Sequence, residues 1–440
     1  MRFDKLADWL AWQEQLHPVA IELGLERVRA VFSRLCQSPL PFVVVTVAGT
    51  NGKGSSVAVL EAVLMAAGYR VGAYTSPHLL RYNERIRLAG QMVSDDELCR
   101  AFARVDQARD DISLTYFEFG TLAALEIFVR FTPDIVLLEV GMGGRLDAVN
   151  VIDPDVSLVT AIGLDHRDWL GADREAIGRE KAGIFRAGRP AICSDPRPPR
   201  SVGARARSVG ARWYLAGRDY DYSVDGRATE ALPVPPRAPS LAASWSWQGG
   251  GQRLLALPIP GLVGEFQLQN AAGALMVLAC LRDSFRIERR AISQGLCDVR
   301  LPGRFQWLPG NISCLLDVAH NRESAAVLAA TLAAVPCRGK THAVVAMLQD
   351  KDIVGVLLEM QGVVDEWYPA SLPGERAAPV DRLLKLLESQ LHCCPVASRG
   401  GDVRGAYQAA VSRAGSEDRI VVFGSFGTVA EVIRYRDAHG

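Results

Sequence analysis

Residues Val43 to Ser55 read VVVTVAGTNGKGS, an apolar run that breaks into a glycine-rich loop carrying one lysine. Nucleotide phosphates need this chemistry. A buried parallel strand delivers such a loop to the carboxyl edge of a sheet, and a helix over residues 57–67 follows it at once. Gly49, Gly52 and Gly54 let backbone N–H groups curl around phosphate oxygens without Cβ clashes. Lys53 adds a point charge for the β/γ-phosphates, and Ser55 offers a hydroxyl for Mg²⁺. The spacing departs from the standard pattern, because Gly54 stands between the lysine and the serine. Gly/Asn/Ser clusters after strands are often plain turns. The lysine and the helix tip the reading to a nucleoside triphosphate.

Other strand ends carry compatible groups. In a parallel α/β sheet the carboxyl ends share one edge, and ligands bind there. Candidate strands 70–75, 134–140 and 156–162 end in Thr75-Ser76-Pro77-His78, in Glu139 with GMGGRLD behind it, and in Gly163-Leu164-Asp165-His166. Mg²⁺ prefers oxygen donors, so Glu139 and Ser76 suit it, while His166 is an unusual ligand. Taken singly, a strand-end glutamate is more often a cap, and a lone histidine more often a hydrogen-bonded structural residue. Their shared position groups them. GMGGRL invites a dinucleotide-binding reading, but its spacing is not GxGxxG and no helix clearly opens on it.

The elements that must position these residues alternate along the chain. Apolar runs 42–47, 70–75, 134–140 and 156–162 are separated by helical patterns, which predicts a mostly parallel, doubly wound α/β sheet. Residues 196–251, rich in Arg, Ala, Pro, Gly and Ser with Trp245 and Trp247 interleaved, read as a variable insertion, part hairpin and part loop. Helical periodicity returns over 268–282, and LPGRFQ (301–306) supplies hinge-forming Pro302 and Gly303. A second α/β pattern follows: strands 312–318, 341–347 and 419–423, helices 324–335 and 380–391. The expected division is a domain over 1–298 and a smaller one over 299–440.

The 440 residues exceed one core, and 49% hydrophobic with 22% charged residues is ordinary globular composition. Zero formal net charge argues against a nucleic-acid or anionic-membrane partner. The first residues, MRFDKLADWLAWQEQ, place charges where a signal peptide needs an apolar core, and the apolar stretch 271–281 is too short to span a bilayer. Nine scattered cysteines without a CxxC pair fit reduced thiols in a cytoplasm, with Cys393 and Cys394 as packing residues.

GTNGKGS, TSPHL, Glu84-Arg85-Ile86, LEVGMGGRLDAVN, GLDH, REKAGIF, DVAHN and MLQDKD, in this order, resemble the dihydrofolate synthase/folylpolyglutamate synthase family of the Mur ligase superfamily. The resemblance covers essentially the whole chain. It implies a Mur-ligase-like P-loop domain, then a smaller Rossmann-like glutamate-ligase domain, with the active site in the cleft between them. It implies an acid carboxylate attacking the ATP γ-phosphate, and the glutamate amine then displacing phosphate from the acyl phosphate. By matching motif, Thr50, Asn51, Gly52, Lys53, Gly54 and Ser55 would hold ATP phosphates, and Ser76, Glu139 and His166 would ligate Mg²⁺, two ions in all. Lys53, Lys181 and His166 would serve catalysis, with Lys181 N6-carboxylated; otherwise Lys181 is an ordinary helix-face lysine. Asn270, alternatively a helix N-cap, would contact ATP with Arg304, Asp317 and His320.

For a dihydropteroate or folate substrate, the resemblance points to Glu22, Leu23 and Gly24, to Thr115, Tyr116, Phe117 and Glu118, and to Leu146. Glu22 stands where the family has aspartate, Val149 where it usually has threonine, and Arg167 where a smaller polar residue is common. The expected activity is a bifunctional ligase adding L-glutamate to dihydropteroate and to folyl-glutamates. A folylpolyglutamate synthase alone is the near alternative. A Mur-type cell-wall ligase would need more chain before the P-loop, and a regulatory or transport ATPase would not need Glu139, His166 and Lys181 together. The expected partners are small molecules, acting on a cytoplasmic monomer.

Overall fold

The computed structural model describes residues 2–36, 39–225, 244–335, 337–390 and 401–439. Cys393, Cys394, the end of the expected 380–391 helix and residues 226–243 of the expected insertion lie outside them. The chain divides into two compact units: Met1–Ser223 with Trp245–Leu257 and Gln269–Val299, and Val224–Ser244 with Pro258–Leu268 and Arg300–Gly440.

In the first unit, helices α1 (Leu6–Leu16) and α2 (Glu26–Leu35) precede β1 (Val43–Ala48) and α3 (Lys53–Ala66). Next come β2 (Val71–Tyr74), β3 (Ile86–Leu88), β4 (Gln91–Met92), α4 (Asp95–Arg109), α5 (Tyr116–Phe131) and β5 (Ile135–Glu139). β6 (Val156–Val159), the short α6 (Arg167–Leu170) and α7 (Arg174–Lys181) lead to β7 (Pro190–Cys193), α8 (Arg200–Val209) and β8 (Arg212–Leu215). These strands form an eight-stranded sheet in the order β4-β3-β2-β5-β1-β6-β7-β8. Only β2 with β3 and β3 with β4 pair antiparallel, towards one edge, so the expected mostly parallel sheet is borne out. β1 lies inside the sheet between β5 and β6, and its unbroken VVVTVA run tolerates the burial seen along nearly its whole length. It runs parallel to β5 and β6, placing Val47 beside Glu139 and Ala48 beside Val159. All three strand ends therefore reach one edge together.

The region read as a variable insertion is more regular than expected. α8 and β8 continue the winding, with β8 parallel to β7. Arginine-rich composition hid α8, which buries only the small side chains Val202 and Ala206, and both strands are four residues long. Beyond them β9 (Tyr220–Asp225), β10 (Ser244–Gly249) and β11 (Gln252–Pro258) form a three-stranded sheet. Trp247 on β10 is buried and its Nε1 donates to the Ala272 carbonyl at 3.2 Å. Ala272 lies on α9 (Phe266–Cys280), which α10 (Arg289–Asp298) follows.

The second unit has five strands, β12 (Gln306–Leu308), β13 (Ser313–Leu316), β14 (Thr341–Val345), β15 (Glu366–Pro369) and β16 (Arg419–Phe423), in the order β12-β13-β16-β14-β15. All neighbours are parallel except β12 with β13. Helices α11 (Arg322–Ala334), α12 (Ile353–Met360), α13 (Val380–Gln390), α14 (Val403–Arg413) and α15 (Phe426–His439) complete it. Its own core includes Leu315, Leu332, Val345, Trp367 and Phe423.

Helix α10 packs on α3 at backbone contact. A Cβ on Gly295 would lie 2.5 Å from the Val63 Cα and 2.6 Å from its nitrogen, atoms that cannot swing aside. Gly295→Ala is expected to lower stability by about 1–3 kcal/mol, read as a reduced urea midpoint with an unchanged m-value.

Candidate active site

The phosphate loop is built by close approach. Gly49 leaves β1 against Thr160: a Cβ there would sit 1.8 Å from the Thr160 hydroxyl, which itself donates to the Asn51 carbonyl at 2.7 Å. Gly52 turns the chain into α3 with φ 90°, a left-handed value that favours glycine. Asn270 closes the other side, its Oδ1 2.3 Å from where a Gly52 Cβ would be. Asn270 lies inside α9 and is buried, so the alternative reading of it as an N-cap is withdrawn. Thr50 ties the loop to the segment after β6: its hydroxyl donates to the Gly163 carbonyl at 3.1 Å, and its N–H donates to the Ala161 carbonyl at 2.8 Å. Ser55 is buried in the first turn of α3.

Two lysines converge on this loop. Lys53 Nζ donates to the carbonyls of Gly49 at 3.0 Å and Thr50 at 3.2 Å. Lys181, the last residue of α7, donates to the same Gly49 carbonyl at 2.9 Å and is buried. It is therefore no solvated helix-face lysine. Burial first, and the like charge of Lys53 second, push its amine down to about 7, against the pull of Asp165 and Asp147. Asp147 is buried too, and burial raises its carboxyl to about 6 although Met142 and Val149 N–H groups donate to it. It braces the GMGGRL loop, which lies against the end of α7: a Cβ on Gly144 would meet the Glu180 and Lys181 carbonyls at 2.9 Å.

Of the residues expected to hold Mg²⁺, Ser76 and Glu139 come together. The Ser76 N–H donates to Glu139 Oε2 at 3.1 Å, and Glu139 is buried at the end of β5. His166 stands after β6 in a left-handed conformation, φ 51°, with Nε2 3.9 Å from Asp165 Oδ2. Among the described residues no group of three or more His, Cys, Asp or Glu side chains gathers around one point. The expected set holds only two such residues plus a hydroxyl, and the hard oxygens of Glu139 and Ser76 suit Mg²⁺.

The residues expected to hold the pterin split into two groups. Thr115 and Glu118 form the capping box of α5, hydroxyl to N–H at 3.2 Å and carboxylate to N–H at 2.8 Å. Arg27 joins Glu118 at 2.9 Å and also pairs with Glu22, which His17 bonds at 2.7 Å. Glu22, Thr115 and Glu118 thus belong to one network of capping and ion-pair contacts through Arg27. Tyr116, Phe117 and Leu146 are half-buried, and the Phe117 ring covers Gly141, where a Cβ would lie 2.6 Å from it. Leu23 and Gly24 are half-buried ahead of α2.

In the second unit, Asp317 is buried at the end of β13, and burial raises its carboxyl despite the Arg304 charge and N–H donors from Phe305 and Ala319, each at 2.8 Å. It pins the backbone beside Arg304, whose guanidinium lies 5.5 Å from the Phe426 ring centroid. His320 bonds the Val318 carbonyl through Nδ1 at 2.8 Å and packs its ring 6.4 Å from Phe426. Arg304, Asp317 and His320 thus share the carboxyl edge of their own sheet.

Comparison with known proteins bears on the family and the fold. The Mur ligase, glutamate ligase domain family matches residues 303–426. The dihydrofolate synthase/folylpolyglutamate synthase of Escherichia coli (strain K12) is 45% identical over 435 residues, covering 98% of this chain and 96% of that protein. This chain belongs to the dihydrofolate synthase/folylpolyglutamate synthase family. An Escherichia coli member of the family, solved in complex with DHPP and ADP, matches with a TM-score of 0.89, 45% identity, and coverage of 99% and 98% of the two chains. A bifunctional folylpolyglutamate synthase/dihydrofolate synthase solved with Mn, AMPPNP and L-glutamate matches with a TM-score of 0.86, 45% identity and the same coverage. The family and fold expected from the motifs are borne out. Among the described residues no helix is long and apolar enough to cross a membrane.

Three residues that brace the candidate segments escape the sequence. Asp147 was visible inside LEVGMGGRLDAVN but has no ligand-like spacing there. Thr160 and Arg27 act through partners more than 90 residues away, a relation no local pattern records. The steric fit at Gly49 gives a direct test. Gly49→Ala is expected to weaken ADP binding at least tenfold by calorimetry, about 1.4 kcal/mol or more. Adding Thr160→Ala, which removes the clashing hydroxyl, recovers part of that loss.

Proposed function

We propose that this chain joins L-glutamate to dihydropteroate, giving dihydrofolate, and to folyl-glutamates, lengthening the polyglutamate tail, with ATP driving an acyl-phosphate intermediate. The observation that carries this reading is the convergence of Lys53 and Lys181 on the Gly49 carbonyl, with Glu139 and Ser76 bonded together on strands of the same sheet edge. Phosphoryl transfer demands positioning and charge neutralisation more than covalent chemistry, and this cluster supplies both kinds of group.

Thr50 to Ser55 hold the ATP phosphates through the backbone of the loop and the start of α3, and Asn270 contacts the nucleotide from beside Gly52. Lys53 leaves the loop carbonyls for the β/γ-phosphates. Ser76, Glu139 and His166 hold Mg²⁺, which when bound neutralises phosphate charge; we assign two ions to the reaction. Residues 1–298 act as the ATP-binding domain and 299–440 as the glutamate-ligase domain, from which Arg304, Asp317 and His320 serve the nucleotide. The acid lies against Phe117 and Leu146, with Tyr116, Leu23 and Gly24 alongside and Glu22, Thr115 and Glu118 holding the wall. A cytoplasmic monomer working on small molecules, without nucleic acid or membrane, completes the reading.

Lys181 is assigned as N6-carboxylated. A neutral amine attacks CO₂, forms the N–C bond and gives up a proton, leaving an anion where a cation stood. An amine held near 7 by burial is neutral in useful proportion where a normal lysine is not. With its value lowered, protonation returns as pH falls through about 7, so carboxylation must grow as pH rises. With ¹³C-bicarbonate, a carbamate resonance is expected to strengthen from about pH 6 to about pH 8 and to be missing in Lys181→Arg. Its presence in that variant would contradict the assignment.

Phosphate release by purified protein with ATP and Mg²⁺ tests the function. Release is expected with dihydropteroate plus glutamate and with tetrahydrofolate plus glutamate, and Lys53→Ala is expected to lower it at least a hundredfold. Release only with tetrahydrofolate would reduce the assignment to a folylpolyglutamate synthase. Release strictly dependent on a UDP-muramyl substrate would overturn it.

A further inference from the structure

The Glu84-Arg85-Ile86 triplet has no part in the site so far. Glu84 explains itself: its carboxylate accepts the N–H groups of Leu79, Leu80 and Arg81 at 2.6, 2.8 and 2.7 Å, folding the turn that follows Ser76. Arg85 does not. It is 9% exposed, yet the partners of its side chain are all neutral. Its Nε donates to His78 Nδ1 at 2.9 Å, and a ring nitrogen that accepts belongs to a neutral imidazole. Its guanidinium carbon lies 5.2 Å from the Tyr82 ring centroid and 5.7 Å from that of Tyr116.

Buried arginines are normally paired with an acid. Arg87, two residues on, meets Glu61 at 2.7 Å, and buried Arg109 meets Asp106 at 2.7 Å. Buried Arg419 does without an acid because the Thr341 hydroxyl and the Leu332 and Val335 carbonyls accept from it, a set of oxygen acceptors that Arg85 does not have. Among the described residues no carboxylate pairs with Arg85. Aromatic contacts engage the face of a guanidinium, whereas its N–H groups point outward in the plane and match a carboxylate in two parallel bonds. Two tyrosine rings and His78 therefore hold the plane of Arg85 in place without supplying an anion. One polar atom in the cluster has no partner: the Tyr82 hydroxyl is buried with no hydrogen bond. His78, Tyr116 and Phe117 around the cluster are half-buried, so the guanidinium lies just under an accessible surface. Tyr116 and Phe117, on the segment assigned to the pterin, and His78, on the turn that follows Ser76, all border this cluster.

We propose that Arg85 binds the carboxylate of the pteroate-type acid, with His78 as the positioning residue that orients the guanidinium. This rests on the functional reading above. A carboxylate held there supplies the missing counter-charge, and the site selects an acid over its uncharged analogue.

The test is calorimetric binding of pteroic acid and of its carboxamide to the full chain, with ADP binding as a check of the fold. Wild type is expected to prefer the acid by about tenfold or more, and Arg85→Gln to bind the two within about twofold of each other, its ADP affinity unchanged. Retention of the preference in Arg85→Gln would overturn the assignment of Arg85 and leave the functional reading standing. Binding of neither ligand by wild type would remove both. Where Arg85→Gln loses ADP binding as well, Arg85→Lys decides: a raised KM for dihydropteroate with the KM for ATP unchanged supports the proposal, and an unchanged KM for dihydropteroate sinks it.

Discussion

Two ammonium groups share one carbonyl oxygen, that of Gly49, and much of the first unit is arranged around that contact. Like charges so close are unfavourable until an anion arrives, and they add to the burial that chiefly pushes the Lys181 amine down to about 7. Such an approach needs backbone to touch backbone. The Gly49 turn has no space for a Cβ beside Thr160, nor Gly52 beside Asn270, nor Gly144 against the end of α7. The glycines are therefore statements about contact distance as well as about turn geometry. Asp147 sits under the same cluster and offers a buried carboxylate where opposite charge is wanted, though burial raises its own carboxyl.

The second unit separates its two sheet edges by chemistry. At the amino edge a closed polar network joins three parallel strands. His342 on β14 bonds the Tyr368 hydroxyl at 3.1 Å and Asp418 at 3.2 Å, and Lys340 meets Glu366 at 2.8 Å. Arg419 fills its bonds with the Thr341 hydroxyl and the carbonyls of Leu332 and Val335. These groups satisfy one another, as buried polar groups must. At the carboxyl edge Asp317 instead spends both oxygens on backbone N–H groups, fixing the chain next to Arg304. One edge is sealed for stability, and the other displays side chains.

Sequence and structure agree best where the signal is continuous. The runs 43–48, 135–139 and 419–423 appear as strands within a residue or two of expectation, because complete burial in a parallel sheet demands unbroken apolar runs. They fail where an element is short or its composition misleads. Pro190–Cys193 and Arg212–Leu215 are four-residue strands, and α8 between them is arginine-rich with a narrow small-residue face. Glu22, Thr115 and Glu118 were read from their motifs as pocket residues. Their capping and ion-pair duties were not, because Arg27 reaches Glu118 across 91 positions of chain.

By itself the sequence determined the glycine-rich loop after β1, the order of strand-end groups and the family, since each of these is a local pattern in a fixed order. Register decided the rest. Glu139 stands beside Val47 because β5 pairs with β1, and Lys181 meets Gly49 because α7 ends above that strand. Burial, and with it the lowered Lys181 amine and the acid-free pocket of Arg85, exists only when distant segments exclude water together. Residue types can be read one at a time. The dielectric around them, and the partner each one lacks, belong to the folded chain.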